Sequence, residues 1–200
     1  GPVLIDLPRD VTVDEVEFSW PEVNLPGYHP SVKAHEMQIK KAARAVMEAE
    51  RPVIYVGGGV KYAGAHGELF ELATKINAPV TTTLMGVGCF PEDHPLSLGM
   101  LGMHGTKYAN YAIQESDLIL AIGARFDDRV TGKISSFAPR AKIVHIDVDP
   151  AEVGKNVRVD IPVVGDAKNA LSALIKEVGS KARGEWNEKV EGWKQDYPLG

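Results

Sequence analysis

The chain has a single cysteine, Cys89, among 200 residues. That excludes an internal disulfide and fits a reducing compartment; a lone thiol of this kind is expected to serve as a small buried apolar side chain. No apolar run is long enough to span a bilayer, so no membrane partner is expected. Basic residues form no block: 22 of them are scattered among 27 acidic ones, for a net charge of -5. This argues against nucleic acid or an anionic membrane surface as a partner. The sequence also lacks a Walker loop, a Gly-x-Ser-x-Gly elbow and a Cys-x-x-Cys pair, and with them the chemistry those motifs carry. His29, His35, His66, His94, His104 and His145 show no metal-ligand spacing, so no metal site is expected in this chain. Internal repeats and low-complexity tracts are missing too.

What is present suits a packed core, with 44% apolar and 24% charged residues. The chain opens at Gly1, not methionine, and runs into the apolar segment Pro2 to Pro8. A strand there needs a neighbour for its amides. The expectation is the tail of an upstream domain, and hence a fragment of a longer protein, with any targeting signal outside it. Pro8, Pro21, Pro26 and Pro30 punctuate a linker. The expected division is residues 1–33 as tail and linker, 34–180 as the main domain, and 181–200 as a C-terminal helix and linker to a missing domain.

From residue 34 the pattern is regular. Ile39, Ala42, Ala43, Val46 and Met47 share one helical face, as do Leu69, Leu72, Ala73 and Ile76. Thr106 opens another helix through Ala109, Ala112 and Ile113. Asp166 caps one with Ala170, Leu171 and Leu174 inward and Gly179 as its stop. Trp186, Val190 and Trp193 indicate a last one. Between the helices lie short apolar runs at Pro52–Val56, Val80–Thr83, Leu118–Ile122, Lys142–Ile146 and Ile161–Val164. Strands that are apolar throughout and alternate with helices define a parallel sheet covered on both faces. The expected fold is a doubly wound, Rossmann-like α/β domain.

Such folds bind ligands beyond the carboxyl ends of their strands. Five loops then belong together: Gly57-Gly58-Gly59, Thr83-Leu84-Met85-Gly86, Gly123 to Arg129, Asp147-Val148-Asp149, and Gly165-Asp166. The triple glycine is not a dinucleotide fingerprint, because Tyr62 stands where the third glycine belongs; a plain tight turn explains it equally well. Asp147 at a strand end suits ribose hydroxyls, or else a turn or a helix cap. Arg125 and Arg129 can fork onto a pyrophosphate or carboxylate, or pair locally with Asp127 and Asp128. His104 stands just before a helix start, where free amides hold anions. The residues alone indicate a nucleotide-sized ligand and no catalytic machinery.

Five runs carry a resemblance: Gly57 to Gly59, Thr83 to Gly88, Leu101 to Thr106, Gly123 to Lys133, and His145 to Asp149. In order and over nearly the whole chain they resemble the catalytic subunit of the acetohydroxyacid (acetolactate) synthase family, and the run from Gly123 to Lys133 is specific. The resemblance implies the central, FAD-binding domain of a thiamine-diphosphate enzyme. It implies flavin contacts from Gly57, Gly58, Gly59, Thr83, Leu84, Met85, Leu101, Gly102, Met103, His104, Gly123, Ala124, Arg125, Phe126, Asp127, Asp147, Val148, Gly165 and Asp166. Met103, Asp128 and Arg129 would face the substrate channel, with Arg129 orienting the carboxylate of the second 2-keto acid.

The family decarboxylates pyruvate on thiamine diphosphate and joins the two-carbon remainder to pyruvate or 2-ketobutyrate, in branched-chain amino-acid biosynthesis. With no net oxidation, the flavin looks structural. Thiamine diphosphate and Mg2+ belong to flanking domains, so no catalytic residue is expected here and the piece alone is expected to be inactive. The resemblance further implies a homo-oligomer with a regulatory subunit, located in the cytoplasm (in a plastid or mitochondrion in a eukaryote). Two alternatives are the middle domain of a glyoxylate carboligase or pyruvate oxidase, and a structural module with a vestigial nucleotide site.

Overall fold

A computed structural model describes residues 3–22, 24 and 31–199. The elements follow in the order α1 (Glu36–Glu48), β1 (Pro52–Val56), α2 (Gly58–Tyr62), α3 (His66–Lys75), β2 (Val80–Thr82), β3 (Ser97–Met100), α4 (Lys107–Glu115), β4 (Leu118–Ile122), α5 (Asp128–Thr131), β5 (Lys142–Asp147), β6 (Ile161–Val164), α6 (Ala167–Glu177) and α7 (Gly184–Asp196). The six strands form one sheet in the order β3-β2-β1-β4-β5-β6, and every pairing is parallel.

Strand alternation divides the apolar residues between two cores. Ile54, Val56, Leu118, Leu120, Ile122, Val144 and Ile146 face α1, α3 and α6. Val53, Tyr55, Ile119, Ala121 and Ile143 face α4 and α7. Helices therefore cover both faces, as continuous apolar strands require. Cys89 is buried in the first core. Helix starts are satisfied locally: Thr106 Oγ1 accepts the Ala109 amide at 3.0 Å, and Asp166 Oδ1 accepts that of Asn169 at 3.0 Å. Both Asp117 carboxylate oxygens accept amides entering β1, from Glu50 and Arg51, each at 2.9 Å.

Three details differ from the sequence reading. Gly1, Pro2 and the Pro26–Pro30 part of the linker lie outside the described residues, but residues 3–8 form no strand and are exposed. Apolar composition alone cannot make a strand without a partner edge. A sixth strand, β3, joins the sheet edge beside β2 with a register shift. Helix α6 ends at Glu177, and its cap residue Val178 is extended, so Gly179 is not the stop.

Candidate functional site

The chain runs outward from β1 through β2 to β3, then returns to lay β4 on the other side of β1. Strand order therefore reverses between β1 and β4, where doubly wound sheets hold their ligands. Two glycine loops meet there, backbone to backbone. A Cβ on Gly57 would lie 2.0 Å from the Gly123 carbonyl oxygen, and one on Gly123 would lie 2.5 Å from Gly59 Cα. Gly123 also has φ +56°, a conformation that glycine adopts freely.

Above this contact opens a cavity of about 620 Å³, within the range of small-ligand sites. Its floor includes Gly57, Gly58, Gly59, Gly123 and Ala124. One wall is Thr83, Leu84 and Met85; another is Leu101, Met103 and His104; Arg125, Asp127, Arg129 and Asp147 complete it. Tyr62, Met100, Val130 and Glu152 also line the cavity, and the sequence reading named none of these four as a ligand contact. Several large apolar side chains stand at the rim in solvent: Tyr62 is 79% exposed, Leu84 74%, Met103 66% and Met85 54%. An apolar rim of this kind marks a ligand or protein contact.

The remaining named residues lie off the cavity. Gly102 (φ +98°) supports its loop from behind, since a Cβ there would meet the Arg129 carbonyl oxygen at 2.5 Å. Asn110 brackets the same residue, accepting from the Gly102 amide at 3.3 Å and donating to its carbonyl at 3.1 Å. Met103 N donates to Arg129 O at 2.8 Å, which ties the two wall loops together. Asp128 begins α5 and is exposed. Val148 is exposed past β5. Gly165 packs against the backbone of Ala34, and Asp166 caps α6; both sit at the β6 side of the edge.

Phe126 is buried below the loop with φ +52°. Its ring packs against Tyr55 and His145, both at 5.3 Å, and against Phe137 at 6.0 Å. These contacts hold a backbone conformation that costs a bulky residue on the order of 1–3 kcal/mol, and they turn its neighbours Arg125 and Asp127 toward the cavity. Among the described residues neither Arg125 nor Arg129 forms an ion pair. Asn156 Nδ2 braces the Arg125 carbonyl at 2.9 Å.

Burial pushes the Tyr55 phenol above its ordinary range, and the Asp127 carboxylate adds to this. His145 lies under the cavity on β5. Burial lowers its pKa from the ordinary 6.5, against the smaller opposing pull of Asp147, the Ala124 backbone and Glu152.

A parallel sheet of this order, with helices on both faces and a cavity at the reversal point, defines a doubly wound, Rossmann-like α/β domain. Residues 39–174 match the family described as "Thiamine pyrophosphate enzyme, central domain", and the chain belongs to that family. It is 58% identical over 197 residues to a "Probable acetolactate synthase large subunit" of Methanocaldococcus jannaschii, covering 95% of this chain and 33% of that protein. It is 50% identical over 206 residues to the acetolactate synthase large subunit of Corynebacterium glutamicum, and 48% identical to an acetolactate synthase of Mycobacterium bovis, each covering 100% of this chain and 33% of the relative. The chain thus spans about a third of the length of the relatives it matches. Among the described residues no helix is long and apolar enough to cross a membrane.

Proposed function

We propose that this chain is the FAD-binding middle domain of an acetolactate synthase catalytic subunit. The observation that carries the reading is the cavity at the strand-order reversal, whose lining matches the parts of a flavin dinucleotide. Glycine backbone and the unpaired Arg125 suit its pyrophosphate. Asp147 suits ribose hydroxyls. Leu84, Met85, Leu101 and Met103 offer apolar surface for a flat ring. Bound FAD would serve a structural part in the parent enzyme, and this chain's residues would hold and orient it.

The parent enzyme would condense two 2-keto acids with loss of CO2, in the cytoplasm, using thiamine diphosphate and Mg2+ held by flanking domains. Residues 1–33 would lead in from the preceding domain, 34–180 would hold the flavin, and 181–200 would lead toward the next domain. Arg129, beside Met103 at the rim, would receive the carboxylate of the acceptor keto acid. Assembly as a homo-oligomer with a regulatory subunit belongs to the same proposal.

The test is titration of FAD into the chain, followed by flavin fluorescence, with ADP as competitor. Quenching that ADP reverses is expected. Tighter binding of NAD than of FAD would overturn the reading.

A further inference from the structure

A second cavity, of about 790 Å³, opens at the opposite edge of the sheet, where the chain enters β2 and β3. Pro79, Pro95 and Leu96, just ahead of those strands, form its apolar side with Val190 of α7. It shares no lining residue with the cavity at the strand reversal, and its volume is that of a small-ligand site.

The polar groups around it are mostly acceptors. Asn187 Nδ2 donates to Asn77 O at 3.2 Å and so ties α7 to the loop ahead of β2. Oδ1 of the same amide is buried with no partner. Buried polar atoms are nearly always satisfied, and each exception needs a cause. Thr74 Oγ1 gives its proton to the Phe70 and Glu71 carbonyls, at 2.8 and 3.1 Å, which leaves it only acceptor capacity. Glu188 and Glu191 stand three residues apart on α7 and share a face. Glu191 has Lys194 Nζ at 3.8 Å, whereas Glu188 forms no ion pair among the described residues. No lysine or arginine lines the cavity among the described residues. Acceptors and negative charge therefore gather against an apolar floor.

We propose that this cavity binds a small aliphatic primary amine. Its ammonium donates to Asn187 Oδ1 and is drawn by the Glu188 carboxylate, while its chain lies on Pro79, Pro95, Leu96 and Val190. An ammonium carries three donors and no acceptor, which complements this lining; a carboxylate or phosphate would meet two negative charges. The occupant bridges α7 to the loops ahead of β2 and β3, so binding stabilises the docked helix. This site lies apart from the flavin reading and does not depend on it.

The test compares 1-aminopentane, 1-pentanol and pentanoate by calorimetry at low ionic strength, on the chain and on Glu188→Gln and Asn187→Ala. The unmodified chain is expected to bind the amine saturably and at least about tenfold tighter than the alcohol, as a charged donor on a buried acceptor implies. Pentanoate is expected to bind weakest. Glu188→Gln is expected to lower amine affinity about threefold, the worth of an exposed charge pair, and to leave that for the alcohol unchanged. Asn187→Ala brings the two ligands within about twofold of each other. Should Asn187→Ala fail to fold, Glu188→Gln decides. Saturating amine raises the urea midpoint and leaves the FAD titration unaltered. Equal affinity for amine and alcohol, no loss in Glu188→Gln, or displacement of the amine by FAD overturns the proposal.

Discussion

Arg129 is exposed at the cavity rim, joined to Met103 through its carbonyl, with no acidic side chain paired to its guanidinium among the described residues. An unpaired arginine fork is suited to a planar carboxylate, and lysine cannot copy its two parallel donors. In the full-length enzyme Arg129→Lys is expected to slow joining of the acceptor keto acid by roughly 30- to 1,000-fold, the worth of one charge-assisted contact in a transition state. Under the proposed function, decarboxylation of the first pyruvate is expected to continue, so that acetaldehyde rises at the expense of acetolactate. Product ratios at saturating FAD check this; an unchanged acetolactate fraction with a lowered melting temperature would return Arg129 to a purely structural role.

At the scale of elements, the loops after β1 and β4 depend on each other. Gly123→Ala would place a methyl against Gly59 Cα and force φ +56° on alanine. A loss of about 2–4 kcal/mol is expected, read as a lower urea midpoint, together with loss of flavin quenching. These loops were legible in the sequence because glycine follows directly on the apolar runs at Val56 and Ile122, with charge close behind the second. Strand β3 was not. It has four residues, Gly99 at φ +66° and a shifted register, so it carries no strand periodicity; it pairs because β2 offers an edge. Residues 3–8 are the opposite case, apolar but with no neighbouring strand among the described residues. Glu152 is not legible from its distance past β5, because a turn brings it back to the cavity: the Asp149 carboxylate accepts the Ala151 amide at 2.9 Å. An Asp-Pro pair just past a strand was the available signal.

For the molecule as a whole, one buried arginine fastens helices on opposite faces of the sheet. Arg183 leads into α7, whose Trp186 and Val190 fill the second core. Its guanidinium donates to Ile76 O beyond α3 and, at 2.8 Å, to Val46 O in α1, both on the first-core side. Burial lowers its pKa, with Glu50 and Asp117 opposing. Arg183→Met keeps the volume but strands those carbonyls, and about 2–4 kcal/mol of stability is expected to go. Thermal unfolding followed by tryptophan fluorescence checks this, because Trp186 reports directly on the docking of α7. The glycine contact at the strand reversal has another consequence, for how such a protein can diverge. The centre of its binding edge holds backbone alone, with no side chain to exchange, so a lineage retuning its choice of ligand must work inward from the rim. Substitution at Tyr62, Leu84, Met85 and Met103 is the open route, and drift there can proceed without disturbing the crossing beneath it.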